Sequence, residues 1–287
     1  MNSKKYNYRL LKYINKYSFI FSSKKVFVDF LIYKFPFLSK FYNKKQKYSF
    51  KKVSFNPSFI TNEKIAVYKV IFGNYDALNE PKILPTNCDF FVITDLIIPN
   101  DSNWKKIDIS HFHNSNLNNN ELNRYYKFHP HLFFPSYKYS LYLDGNIELI
   151  SDPREFLDSI PKAGISVHNH FRRQCIFDEI DVCINLNKDT YENLNLHRQH
   201  LISNNMPLNY GMAELPIILR QHNNLQCIKI MNEWWYEFLN YSKRDQISFP
   251  YVLYKNDIKV KEVTKLGEDI YSNYSFRKYG HRIFNEK

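Results

Sequence analysis

The sequence contains few of the residues that mark repetitive, cross-linked or membrane-spanning chains. Only six of its 287 residues are glycine, which argues against a repetitive, loop-rich β architecture. The four cysteines form no CxxC pair, so we expect buried thiols in a reducing compartment rather than disulfides. No run reaches the roughly 18 apolar residues that a spanning helix needs, and no signal-peptide cleavage site follows an apolar core. What remains is a globular domain with 17% aromatic residues to fill its core.

The positive charge is concentrated in an amino-terminal segment. Residues 1–53 contain fourteen lysines and arginines and one acidic residue, which accounts for the whole net charge of +12. Apolar side chains of this segment share one helical face, at Leu10, Ile14, Tyr17 and Phe21. Such a basic amphipathic segment suits an anionic membrane surface, or it packs on the domain with its lysines in water. We predict a basic arm and linker over residues 1–60, a domain over 61–287, and a cytoplasmic protein peripheral to the inner face of the membrane.

A nucleic-acid or polyanion binder is the competing class of function for a chain with such an arm. The residues after 53 carry almost no net charge, and they contain no RNP, KH or zinc-finger pattern. We therefore expect no nucleic-acid partner, and a protein that binds polyanions, including nucleic acid, or membrane surfaces stays open as the alternative to an enzyme.

Strand and helix patterns alternate along the domain, which predicts an α/β sandwich. Apolar β-formers predict strands at 65–72, 90–94, 104–109, 139–143, 164–167 and 258–263. Helical patterns cover 119–134, 154–159, 175–204, 212–221, 225–239 and a segment that begins at 244. Pro130 should kink or end the first of these helices near His129.

One buried strand runs directly into a polar turn. The stretch from Tyr139 to Leu143 is followed by Asp144, Gly145 and Asn146. In open α/β sheets this end of a strand is where ligands bind, and Gly145 would let another group approach the acid closely. Two oxygens at this spacing suit a divalent cation that holds a phosphate-bearing substrate. The alternative is an Asp-Gly turn without a ligand.

The helix before that strand presents cations. Arg124 and Lys127 lie three residues apart, so they share a helical face. They would either lie in solvent or face the phosphate-bearing substrate that the Asp144 turn suggests.

Several motifs occur together in a recognisable order. Between Tyr68 and Phe249 the chain contains VIFGNYD, VITD, RYYKFHPHLFFPSYKYSLYLDGN, LNYGMAE, LRQHN, EWW and RDQISF. This order resembles the TOD/MUCI glycosyltransferase-like family, and the stretch from Arg124 to Phe156 is more distantly similar to family 8 glycosyltransferases of the GT-A type. The GT-A metal motif usually ends in a second aspartate, where this chain has Asn146, and an uncharged amide oxygen would hold a cation less tightly.

The resemblance implies a fold and a reaction. The fold would be a GT-A-like single Rossmann-type sandwich with a mixed central sheet. The reaction would move a sugar from a nucleotide-sugar donor, such as a UDP-sugar, to a glycan or lipid-linked acceptor in a surface polysaccharide or glycolipid pathway. The implied cofactor is Mn²⁺ or Mg²⁺, with Asp144, Asn146 and His281 as its ligands. A sugar-nucleotide-binding remnant of the fold that has lost turnover stays open as a further alternative.

The resemblance and the residue chemistry together give three sets of candidate side chains. The donor-binding candidates are Phe72, Gly73, Tyr75, Asp76, Asp95, Arg124, Lys127, Asp144 and Gly145. Candidates for chemistry at the anomeric carbon are Asp245 and Gln246, which are similar to the DQ element of family 8, and Glu214 as a rival base. The acceptor-binding candidates are His168, His170, Asn209, Gly211 and Trp235. Retention and inversion of configuration both stay open.

Overall fold

A mixed β-sheet forms the centre of the domain. The structure, a computed structural model, describes residues 63–110 and 116–281, so the predicted arm lies outside the described residues. Its strands are β1 (Ile65–Ile71), β2 (Cys88–Thr94), β3 (Lys105–Lys106), β4 (Tyr139–Leu143), β5 (Ile147–Leu149), β6 (Ile165–Asn169), β7 (Ala213–Arg220) and β8 (Phe276–Lys278). Six of them form a sheet in the order β3-β2-β1-β4-β7-β6, and β5 pairs with β8 in a two-stranded sheet.

The sheet changes direction at its middle. Strands β3, β2, β1 and β4 run parallel, whereas β7 is antiparallel to both β4 and β6. All seven residues of β1 are buried, as expected for a central strand that is covered on both faces. The predicted α/β fold with a mixed central sheet is confirmed.

Helices cover the sheet. They are α1 (Asn119–Phe128), α2 (Pro130–Phe133), α3 (Ile176–Asn185), α4 (Tyr191–Ser203), α5 (Leu225–Asn240), α6 (Asp245–Lys255) and α7 (Val260–Val263), with a 3-10 helix at Pro153–Ser159. Asn118 and Glu121 form a capping box that starts α1, and Pro130 separates α1 from α2 as predicted. Pro250 lies inside α6. Within the described residues no helix is both long and apolar enough to cross a membrane.

Two predicted elements were wrong in type. The segment 212–221, predicted as a helix, contains β7, which is hydrogen-bonded on both sides. Its apolar run is buried on both faces, so periodicity does not distinguish a buried strand from a buried helix. The segment 258–263, predicted as a strand, contains the short helix α7, in which Val260 and Val263 are both buried at helical spacing. The predicted strand 104–109 forms only the two residues of β3, and β5 and β8 were missed.

The two faces of the sheet carry separate apolar cores. Tyr68 and Val70 of β1 face the core that helices α1, α5 and α6 cover, and Ile65 and Val67 face the opposite core. Trp234 of α5 is fully buried in the first core. The two cores fix the strands, and so they fix the position of the polar residues that follow each strand.

Candidate active site

A cleft of about 780 Å³ opens where β1 and β4 end and β7 and α6 begin. Most of the predicted site residues line it: Phe72, Gly73, Tyr75, Asp76, Arg124, Lys127, Asp144, Gly145, His170, Glu214, Asp245, Gln246 and His281. This is the carboxyl edge of the parallel strands, where open α/β sheets bind ligands. The structure therefore brings together in space residues that are up to 209 positions apart in sequence, from Phe72 to His281.

Two cations of α1 meet a carboxylate of α6 in this cleft. Lys127 Nζ lies 2.7 Å from Asp245 Oδ2, and Arg124 Nε lies 3.0 Å from the same oxygen. Burial alone would raise the pKa of Asp245, but the charges of Arg124 and Lys127 outweigh it and hold this pKa well below its ordinary value. Asp245 is therefore an ionised carboxylate that fixes two cations, and it is a weak proton acceptor.

The same lysine connects Asp245 to the strand β4. Lys127 Nζ lies 3.9 Å from Asp144 Oδ1, which also accepts a hydrogen bond of 2.8 Å from the hydroxyl of Tyr142. The side chain of Lys127 is 2% exposed, whereas that of Asp144 is 33% exposed. Asp144 thus presents its carboxylate to the cleft from the end of a buried strand, with a cation behind it.

The turn after β1 forms a second wall of the cleft. The amide of Gly73 (φ +64°) donates a hydrogen bond of 2.9 Å to Asp95 Oδ2, so Asp95 fixes this turn and does not itself line the cleft. Asp76 packs against Gly145, where an added Cβ would lie 2.8 Å from Asp76 Oδ2. Gly145 is therefore required for this close approach.

An aromatic ring stands at the rim of the cleft. Tyr75 is 60% exposed, and its ring centroid lies 5.1 Å from that of His281. His281 Nδ1 in turn lies 3.1 Å from Asp76 Oδ2. An exposed ring of this kind offers a flat surface to a base or a sugar.

Glu214 contributes a carboxyl group whose pKa is raised, whereas that of Asp245 is lowered. Burial raises the pKa of Glu214 from 4.5 to about 7, partly opposed by a backbone hydrogen bond of 3.4 Å from Ile270. Its neighbour Ala213 accepts a hydrogen bond of 3.2 Å from the side chain of Gln246. His170 also lines this part of the cleft, and its Nδ1 accepts hydrogen bonds from the amides of Arg172 and Arg173. A carboxyl group that titrates near neutral pH is suited to take up and release a proton.

The predicted metal ligands do not converge. Asn146 donates its side-chain N–H to the carbonyl of Tyr279 at 2.8 Å and lines a separate small pocket. His281 contacts Asp76, not Asp144 or Asn146. In residues 63–110 and 116–281 no group of three or more His, Cys, Asp or Glu side chains could hold a metal ion. The donor set Asp144, Asn146 and His281 therefore does not fit a divalent cation in this arrangement.

Four of the predicted acceptor-binding residues lie away from the cleft lining. His168 is fully buried, and its Nε2 lies 2.9 Å from the side-chain amide nitrogen of Asn273. Gly211 (φ +112°) faces Val260, where an added Cβ would lie 2.8 Å from the Cβ of that valine. The remaining two are Asn209, in a left-handed turn, and Trp235, whose ring packs on Phe238 and Tyr125.

Burial and the end of β6 explain why His170 lines the cleft and His168 does not. Burial lowers the pKa of His168 to about 3, so this ring is neutral and structural. Strand β6 ends at Asn169, so the chain no longer alternates when it reaches His170. The spacing of two residues therefore does not place both rings on one face.

Sequence reasoning missed Lys69, which lies beneath the Asp144–Asn146 turn. Its Nζ donates a hydrogen bond of 2.9 Å to the carbonyl of Gly145, and its side chain is buried. Burial lowers the pKa of Lys69 to about 8, opposed by Asp76, Glu148 and Asp144 in that order. The signal was visible, because Lys69 is the only charged residue in the apolar strand β1.

Comparison with known proteins agrees with the motif order. Residues 37–281 match the family described as TOD1/MUCI70, glycosyltransferase-like domain. Over 136 residues the chain is 31% identical to the probable hexosyltransferase MUCI70 of Arabidopsis thaliana, an alignment that covers 42% of this chain and 22% of that protein. The chain therefore corresponds to a minor part of that relative.

Two solved structures are similar at low identity. The bifunctional glycosyltransferase WbbM in its apo form has a TM-score of 0.46 and 12% identity, over 74% of this chain and 40% of that one. Mouse xyloside xylosyltransferase 1, also apo, has a TM-score of 0.40 and 8% identity, over 70% of this chain and 84% of that one. Since the family match extends over most of the sequence, this chain belongs to the TOD1/MUCI70 glycosyltransferase-like family.

Proposed function

We propose that the cleft binds a nucleotide-sugar, such as a UDP-sugar, and transfers its hexose to a glycan or lipid-linked acceptor. The observation that carries this proposal is the convergence of Arg124, Lys127, Asp144 and Asp245 at the carboxyl edge of the sheet. The family is glycosyltransferase-like, and the name of the Arabidopsis relative, a probable hexosyltransferase, supports a hexose as the transferred sugar.

The buried cations would act on the leaving diphosphate. This group gains negative charge as the glycosidic bond to phosphate lengthens, so a cation near it stabilises the transition state more than the ground state. One charge pair at 4 Å contributes about 4 kcal/mol at an effective dielectric constant of 20. Lys127 and Arg124 are already fixed by Asp245, and their orientation therefore costs little during the reaction.

The two carboxyl groups, Asp245 and Glu214, have different roles in this proposal. Asp245 orients the two cations and offers oxygens to sugar hydroxyls, and Gln246 lies next to it at the start of α6. Glu214, with its pKa of about 7, is the group that exchanges a proton with the acceptor hydroxyl. Tyr75 at the rim of the cleft would contact the nucleoside, and the turn at Gly73 and Asp76 would flank it.

The acceptor and the cellular location complete the proposal. A surface polysaccharide or glycolipid precursor is the acceptor that we propose, with the basic segment 1–60 holding the enzyme at the anionic inner face of the membrane. Co-sedimentation with vesicles that contain anionic lipid tests this part. The full chain should bind them at low salt, and a chain without residues 1–60 should not.

The test of the reaction is transfer or hydrolysis of nucleotide-sugars by the full chain. Asp144→Ala should abolish product formation in a folded protein, whereas Asp158→Ala, which alters an exposed acid on the 3-10 helix, should leave it unchanged. An unaffected Asp144→Ala protein would contradict the role of this acid. Donor binding without any product would instead identify a binding protein that has lost turnover.

A further inference from the structure

A buried ammonium group, that of Lys69, lies behind the turn that follows β4. Lys69 is 3% exposed, and its Nζ contacts the carbonyl of Gly145 at 2.9 Å and lies 5.4 Å from the centre of the Trp104 ring. Lysine is rarely buried unless its charge is balanced. Its position therefore requires negative charge close by.

Carboxylates from three elements stabilise the charge of Lys69. Asp76 from the turn after β1, Glu148 of β5 and Asp144 at the end of β4 all act on its charge. Glu148 is further bound by the hydroxyl of Tyr279 at 2.7 Å and by Lys82 at 3.1 Å. Asp76 and Asp144 both line the cleft, so Lys69 balances, from behind, the charge that an incoming diphosphate would meet.

The sequence predicts a divalent cation at this turn, but Asn146 donates its side-chain N–H to Tyr279 and His281 contacts Asp76, so the predicted ligands do not converge there. A diphosphate and two carboxylates repel each other unless positive charge lies close to them. We infer that Lys69 is a positioning residue whose fixed charge takes this role, so that the donor diphosphate binds without a divalent cation. This inference rests on the proposed function, because it concerns how the same cleft accepts its donor.

Two features of Lys69 separate a charge effect from a purely structural one. Its hydrogen bond to Gly145 holds the turn, and its charge offsets Asp76 and Asp144. Lys69→Gln keeps a hydrogen-bond donor and loses the charge, whereas Lys69→Met loses both. If donor binding depends on the positive charge of Lys69, both variants should lose it. A role in structure alone predicts that Lys69→Gln retains it.

The experiment is calorimetric titration of the full chain with UDP, in excess EDTA and again with Mn²⁺. The natural chain should bind with equal affinity in both buffers. Both variants should bind at least about tenfold more weakly than the natural chain. Lys105→Met, which removes an exposed lysine of β3, should bind like the natural chain. Circular dichroism shows whether each variant is folded.

The outcomes are distinct. Binding by the natural chain only when Mn²⁺ is present would overturn the inference and leave the proposed function standing, and this result does not depend on whether a variant folds. Undiminished binding by folded Lys69→Gln would also overturn it. If neither UDP nor any other nucleoside diphosphate binds in either buffer, the proposed function fails, and the inference fails with it.

Discussion

Lys127 and Asp245 are 118 positions apart in the sequence, yet Lys127 Nζ lies 2.7 Å from Asp245 Oδ2, and both side chains are buried. The contact joins α1 to the first turn of α6 and orients the cation toward Asp144. A buried ion pair of this kind is sensitive to the loss of one member, because the other is left as an uncompensated charge.

Asp245→Asn should therefore lower the stability of the protein as well as its activity. The substitution leaves Arg124 and Lys127 without their shared carboxylate, and we expect the free energy of unfolding to fall by about 3 kcal/mol. Urea unfolding followed by circular dichroism measures this change. Asp158→Asn is the matched control on an exposed acid, and equal stability of the two variants would contradict the prediction.

Lys127→Met should act mainly on the chemical step. If this ammonium stabilises the leaving diphosphate, kcat should fall about a hundredfold, with a smaller change in KM. Steady-state kinetics with the identified donor tests this, and Lys162→Met, at an exposed position, serves as the control. A rise in KM at constant kcat would show instead that Lys127 binds ground state and transition state equally.

Glu214 should give the reaction a pH dependence. As a base it acts only when ionised, so kcat/KM should rise with pH through about 7, the pKa that burial gives this group. Glu214→Gln should be slow and lack this rise. Glu192→Gln, at an exposed position, should keep the natural profile. A natural profile in Glu214→Gln would assign the titration to another group.

The same carboxyl group should make stability depend on pH. Its pKa rises from 4.5 to about 7 on folding, so its contribution is fully present below pH 4.5 and is lost as pH rises through 7. Glu214→Gln carries no charge and should gain stability relative to the natural chain across this window. Thermal unfolding of both proteins at pH 5 and pH 8 measures the difference in stability between them. If this difference is the same at both pH values, the pKa of Glu214 is not raised on folding.

Gly145→Ala should displace Asp76. The added methyl group would lie 2.7 Å from the Cβ of Asp76, which is too close for the present packing. We expect a loss of about 1–3 kcal/mol in stability and weaker donor binding, because the turn after β1 must move. Gly280→Ala is the control, since an added Cβ there meets no atom within 4 Å. Equal effects of the two substitutions would show that the contact with Asp76 is not limiting.

The sequence was most informative where strand ends and helical spacing determine position. Asp144 directly follows a buried strand, and Arg124 and Lys127 share a face of the helix before that strand. These two observations predict that all three side chains lie at the same edge of the sheet. The sequence did not predict that Asp245 is the partner of these cations, because the contact between Lys127 and Asp245 depends on how α1 and α6 pack.

The acceptor-binding candidates show the opposite case. His168, Asn209 and Gly211 belong to the ends and turns of elements, where the direction of a side chain depends on local dihedral angles rather than on spacing. Trp235 lies next to the buried Trp234, and the rotation of α5 decides which of the two rings is enclosed. Neither property can be read from residue type.

Pro250 has a consequence for the turn that carries Asp245 and Gln246. It has no N–H to donate to the carbonyl of Gln246 four residues earlier, so the hydrogen-bond ladder of α6 is interrupted just beyond this turn. The turn is held from outside by Arg124 and Lys127. Trp234 of α5 also holds it, since its Nε1–H donates a hydrogen bond of 2.9 Å to the carbonyl of Asp245. The position of Asp245 therefore depends on contacts with α1 and α5 rather than on the hydrogen-bond ladder of its own helix.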